Sequence, residues 1–221
     1  MVDLTDLERD ALTELVNMGV GRAATHLSRM VSDQVLLSVP SVDIVSRTEA
    51  ARLLAARERT SLVAVEQLFS GSFSGRALLI FPETNSLELA RAVLGSELSL
   101  EEIVDLEQDA LAEIGNIILN GCLVVMANTL KDSLDISLPS VLRGDSERIF
   151  ANVESNAAQN SAQNSDELVM FLYIDFLIRS RSIRGYIALL MGLSSLESLK
   201  GLIHGFIDRI ASGTPYGTDR R

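Results

Sequence analysis

The chain repeats itself, and the repeat limits how it folds. Residues 7–45 and 106–144 align without gaps at an offset of 99, setting LERDALTELVNMG on LEQDALAEIGNII and SVPSV on SLPSV. Further on, residues 62–81 match residues 172–191 at an offset of 110, which places Gly75 against Gly185. SLELARAVLG (86–95) then matches SLESLKGLIHG (195–205) with one residue dropped. The change of offset implies an 11-residue insertion in the second half, within the polar, low-complexity run 152–164. That run has too few β-branched and aromatic residues to order itself and is expected to be a surface loop. Two copies are too few for a solenoid. A unit of about 100 residues with this pattern leaves an apolar face open, and the second copy is the natural cover. The expected arrangement is one pseudo-two-fold domain over 1–221, with repeats at about 4–100 and 103–211, a loop at 152–164 and a flexible tail at 212–221.

Within each copy the apolar spacing predicts a long helix, a strand, a short helix or loop, a β-hairpin and a second helix. Leu12, Leu15, Val16, Ala23 and Leu27 recur at helical spacing, and Thr5 with Glu8 three residues on reads as a helix start. Val35–Val39 and Ile136–Leu138 read as strands that end at prolines. Ser70-Gly71-Ser72 supplies turn chemistry for the first hairpin, and Ser180-Arg181-Ser182 does so for the second. The fold class is α+β: an internally duplicated domain with long helices packed on an antiparallel or mixed β-sheet.

One set of polar residues interrupts both long helices in the same register. It is Asp10, Glu14, Asn17 and Pro40 in the first copy and Asp109, Glu113, Asn116 and Pro139 in the second, a pattern Asp/Ser-x3-Glu-x2-Asn-x22-Pro. At about 100° per residue, Asp10, Glu14, Asn17 and Gly21 share an arc of roughly 60°. Asp109, Glu113, Asn116 and Asn120 share the matching arc. The stripe is expected to face solvent, where nothing in the folding pattern demands these identities. Asn is a poor helix former, so its recurrence in mid-helix needs a reason. Neighbouring positions differ between the copies (Val16 opposite Gly115, Met18 opposite Ile117) while the polar three do not.

The doubled motif resembles the CheC-type phosphatases of bacterial and archaeal chemotaxis, a family that includes CheX and the phosphatase part of FliY. Both copies match the family signature at every specified position. The resemblance implies hydrolysis of the aspartyl phosphate of a phosphorylated CheY-like response regulator. Such an acyl phosphate brings its own Mg²⁺ and a Lys, so the missing part is a placed water, and phosphoryl transfer is governed mainly by positioning and electrostatics. By resemblance, Asn17 and Asn116 orient the water in line, and Glu14 and Glu113 bind the partner's active-site Lys. Asp10 and Asp109 take a secondary part. Gly21, with Asn120 opposite it, either lets the partner's backbone approach or is simply an exposed position. The prolines are read as strand ends. The family also implies two other roles: an adaptor for a CheD-like receptor deamidase, and a flagellar switch-associated protein.

Composition excludes several classes. A formal charge of −11, with no basic cluster among the 19 Lys and Arg, argues against nucleic acid. The single cysteine, Cys122, allows no internal disulfide, suits a reducing compartment and sits in an apolar run as a core residue would. His26 and His204 have no carboxylate or Cys at metal-ligand spacing, so no metal site and no cofactor of its own are expected; Mg²⁺ is expected in the phosphorylated partner. No uninterrupted run of about 18 apolar residues occurs, so no membrane insertion is expected, and the chain reads as cytoplasmic.

Overall fold

The computed structural model describes residues 4–31, 34–39, 42–95, 98–151, 168–178 and 181–212. Pro40, the insertion at 152–164 and the tail from residue 213 lie outside them. Helix α1 (Asp6–Val31) starts where its sequence says: the Thr5 N–H donates to Glu8 Oε2 at 2.6 Å, and the Glu8 N–H donates back to Thr5 Oγ1 at 3.3 Å. Strands β1 (Val35–Ser38) and β2 (Val42–Ser46), helix α2 (Arg47–Arg57), the hairpin β3 (Leu62–Gly71) and β4 (Gly75–Pro82), and helix α3 (Ser86–Leu94) follow. The same series then recurs. Helix α4 (Leu100–Leu130), β5 (Leu134–Ile136), β6 (Ser140–Gly144), α5 (Ser146–Phe150), β7 (Leu168–Ile178), β8 (Arg181–Met191) and α6 (Leu193–Ala211) make up the second half. A second reciprocal cap, between Ser99 and Glu102, lets α4 begin about five residues earlier than the repeat offset alone would place it.

The eight strands among the described residues form one sheet in which every pairing is antiparallel. Its order is β1 and β2, then β7, β8, β4, β3, then β5 and β6. The short strands of each half therefore pair with the hairpin of the other half, while β4 and β8 join at the centre. Strand residues alternate between two apolar layers, as the period of two requires. Val63, Val65 and Phe69 of β3, with Ala77, Leu79 and Phe81 of β4, face the large core under α1 and α4. Leu62, Ala64, Leu78 and Ile80 face a smaller core that also holds Ala50 and Leu54 of α2 and Ile149 and Phe150 of α5.

The two hairpins are not related as the ungapped 110-residue match implies. Gly75 opens β4 opposite Phe69, at the last pair of its hairpin, whereas Gly185 lies opposite Ile174, well in from the Ile178–Arg181 tip. Each glycine answers a local close approach: a Cβ on Gly75 would sit 2.1 Å from the Leu190 carbonyl oxygen, and one on Gly185 would sit 2.8 Å from the Phe81 ring. The true repeat contains a tighter second turn, which a gapless match hides.

Helix α4 is, by length and composition alone, apolar enough to cross a membrane, although no uninterrupted apolar run flags it. Its most apolar stretch is 67% buried inside the protein, under the crossing with α1 and against β3. At that crossing a Cβ on Gly19 would lie 2.6 Å from Gly121 O and from Cys122 Cα, so glycine is what lets the two helices touch. Gly19 is thus a packing glycine.

The start of α1 is tied to α6 by a buried charge. Glu8, 2% exposed, accepts from Thr5 and lies 3.5 Å from Lys200 Nζ and 2.5 Å from His204 Nε2. Its partner gives His204 a role that spacing did not reveal. Burial pushes the Glu8 carboxyl up, but the Thr5 N–H and hydroxyl, Lys200 and His204 together draw it below the ordinary value of 4.5. A depressed folded-state value means that this stability is present above pH 4.5 and is lost as pH falls through the lower folded value. Glu8→Gln is expected to cost roughly 1–3 kcal/mol at pH 7 and to flatten the acid limb of stability. Urea unfolding midpoints of both proteins between pH 7 and pH 3 check this.

Candidate functional site

Both motif carboxylates stand clear of the protein. Glu14 and Glu113 are exposed on α1 and α4, as are Asp10 and Asp109, and none of the four has a hydrogen bond or ion pair among the described residues. Gly21 is exposed too, and a Cβ placed there would meet nothing within 4 Å. Its backbone is open to a close approach, and no packing contact requires glycine. The asparagines differ from the expected solvent-facing stripe. Asn17, Asn116 and Asn120 are half-buried: Asn17 reaches Val39 just past β1, Asn116 reaches Gln67 of β3, and Asn120 bonds Asn116.

The position under each asparagine explains the x22 spacing to proline. Between the Ser38–Asp175 and Val42–Leu172 pairs, three residues of one strand oppose two of β7; between Ile136–Phe69 and Ser140–Glu66, three oppose two of β3. Pro139 therefore falls in a one-residue bulge, where a missing N–H costs the ladder nothing. A bulge also frees backbone groups. Asn17 takes them: its Nδ2 donates to Val39 O at 3.0 Å, and the Val39 N–H donates to its Oδ1 at 2.9 Å. Val39 is 22 residues beyond Asn17 and immediately before Pro40, so in the first copy the motif's spacing coincides with a contact.

The second copy solves the same problem differently. Gly115 brings α4 down on β3, where a Cβ would meet Val65 at 2.4 Å. The equivalent residue of α1 is the bulkier Val16. Gln67 of β3, 1% exposed, stands opposite this bulge and intervenes between helix and loop. Its Nε2 donates to Asn116 Oδ1 at 3.1 Å and to Ser137 O at 3.0 Å. Asn120 Nδ2 also donates to Asn116 Oδ1, at 2.7 Å. Ser137 is locked to β3 by its N–H on Leu68 O at 2.9 Å and by its hydroxyl, which accepts from the Leu68 N–H at 2.9 Å. With the loop held this way, Leu138 turns outward and is 90% exposed, whereas Val39 at the matching place is buried. Half-buried Pro139 completes the rim.

Sequence comparison places this geometry. The family model for Chemotaxis phosphatase CheX matches residues 63–160, and that of the CheC-like family matches residues 7–44. The chain is 28% identical over 144 residues to the flagellar motor switch phosphatase FliY of Bacillus subtilis, covering 63% of this chain and 36% of that protein. It is 24% identical over 140 residues to the CheY-P phosphatase CheC of the same organism, covering 61% of this chain and 65% of that one. The chain thus spans about a third of the FliY relative's length. The crystal structure of Thermotoga maritima FliY superposes with a TM-score of 0.71 at 17% identity, covering 93% of this chain and 100% of that one, and shares its fold. The chain is thus similar to the CheC, CheX and FliY proteins in both of its halves.

The thiol is set aside by its surroundings. Cys122 is buried at the helix crossing, and burial raises it to about 12. Among the described residues no group of three or more His, Cys, Asp or Glu is placed to hold a metal. Sequence reading missed Gln67, yet a signal was present: it is a polar residue at an inward position of an alternating apolar strand, between Val65 and Phe69.

The two asparagines should therefore differ in what their removal costs. Asn17→Ala leaves both Val39 backbone groups without their partner and is expected to destabilise by roughly 1–3 kcal/mol. Asn116→Ala leaves Gln67 bonded to Ser137 and should cost less. Thermal unfolding of the two single variants checks this order.

Proposed function

We propose that this chain hydrolyses the aspartyl phosphate of a CheY-like response regulator. The observation that carries the reading is an unpaired, exposed glutamate one helical turn before a carboxamide held at a strand bulge, built twice. Exposed Glu14 and Glu113 are free to meet a cation on the partner, and the active-site Lys of a response regulator is a fitting one. Asn17 and Asn116 follow three residues on and, in this scheme, meet the attacking water. A carboxamide has no proton to give up and no usable pKa, so its contribution is orientation of the water and electrostatic support of the phosphoryl oxygens. The Mg²⁺ that neutralises the phosphoryl charge belongs to the partner in this scheme. Asp10 and Asp109 take a secondary part, on the outer margin of each site. The names of the B. subtilis relatives, a flagellar motor switch phosphatase and a CheY-P phosphatase, support the same chemistry.

Charge reversal tests the anchoring and truncation tests the chemistry. Glu14→Lys/Glu113→Lys should raise the concentration of this protein needed for half-maximal acceleration of phosphoryl decay by at least tenfold. Asn17→Ala/Asn116→Ala should abolish the acceleration while the chain still unfolds cooperatively. Decay of a ³²P-labelled CheY-like protein is the measurement. A double asparagine variant that accelerates decay as the parent does would refute the mechanism. Retained binding of a CheD-like deamidase by a chain without any effect on decay would favour the adaptor role.

A further inference from the structure

Three amides meet at the second site, and only one arrangement of them satisfies the backbone beneath. The Ser137 carbonyl can only accept, so the Gln67 end that faces it must be the NH₂. That same Nε2 reaches Asn116 with its other hydrogen, so the Asn116 end that faces Gln67 must be the oxygen. Asn120 adds a second donor to the same oxygen. The Asn116 NH₂ is left pointing away from the cluster. It has no partner among the described residues and is not among the buried polar atoms that lack one, so it is open to solvent. This order is kept although it leaves Gln67 Oε1 and Asn120 Oδ1 buried without a hydrogen bond. An apolar side chain at position 67, such as the residues flanking it on the same face, would avoid one of those orphans.

We infer that Gln67 is a positioning residue: through the fixed Ser137 carbonyl it sets which end of the Asn116 carboxamide meets the partner, presenting the NH₂ as a donor to the phosphoryl group and its water. The first site has no such relay. Asn17 bonds the Val39 backbone directly with both ends, and the β7 residue facing that bulge, Ile174, is apolar and buried. This inference rests on the phosphatase reading for its consequence but not for its geometry.

Side-chain amide exchange in the ¹⁵N-labelled free protein tests the geometry without any activity. The Asn116 NH₂ pair, assigned by its loss in Asn116→Ala, should exchange with water at least tenfold faster than the Gln67 pair. In Gln67→Glu, which replaces the donor with acceptors, the Asn116 carboxamide should turn its NH₂ inward and its exchange should slow at least tenfold. Equal exchange of the two pairs in the parent, or an Asn116 rate unchanged by Gln67→Glu, would overturn the inference. Kinetics test the consequence in a Glu14→Lys background, where the second site carries the reaction. There Gln67→Leu and Gln67→Glu should each lower the maximal decay rate at least tenfold and leave the half-saturating concentration within twofold. Gln67→Leu removes an orphaned buried acceptor but also the donor to the Ser137 carbonyl, so its melting temperature is read beside the rates. A lowered melting temperature with no change in maximal rate would mark Gln67 as merely structural. If the parent leaves phosphoryl decay unaltered, the phosphatase reading falls, and the exchange experiment still decides the role of Gln67.

Discussion

The exchange of short strands between halves is the constraint on which the rest of this molecule depends. Neither half carries a complete sheet: β1 and β2 need β7, and β5 and β6 need β3. Because these pairings are antiparallel and carry a bulge at the same place, each long helix finds beneath it a kinked strand of its own half held on the hairpin of the other. The site under α4 is consequently shared. Asn116, Ser137 and Leu138 come from the second half and Gln67 from the first. A chain whose halves exchange edge strands in this way can let the surroundings of its two motif helices differ, because a substitution in one hairpin changes the floor beneath the other half's helix.

That divergence is visible at residue level. In the first site the asparagine meets the loop backbone directly, and Val39 is buried as a result. In the second a glutamine stands between them, the loop is pinned to β3 by Ser137, and Leu138 projects into solvent. Thus the two copies share a motif but present different surfaces.

Much of the fold was legible because it is written in periodicity. The helical spacing of Leu12, Leu15, Val16 and Leu27, the Thr5 and Glu8 cap, and the duplication led to an α+β domain of two like halves. The exposed Asp and Glu positions of the motif followed from the same helical arc. What escaped depended on contacts between residues far apart in sequence. Asn17 was placed toward water because a helical wheel does not say that a bulge lies 22 residues on with backbone groups to satisfy. Gln67 was passed over inside an apolar strand, and the Glu8–His204 pair joins the first helix to the last. The equivalence of Gly75 and Gly185 misled because both are glycines for separate steric reasons, and identity at two positions is no proof of common register.

The account turns on a carboxamide that meets a phosphorylated partner, and a titration followed by side-chain amide resonances observes that meeting directly. ¹⁵N-labelled protein would be mixed with a CheY-like regulator, first unphosphorylated and then with a phosphodonor. The Asn116 NH₂ pair should shift or broaden only with the phosphorylated regulator and recover as the phosphoryl group is lost. Backbone resonances of α1 and α4 that respond while the Asn17 and Asn116 side chains stay unmoved would show binding without the asparagines, and would contradict the account.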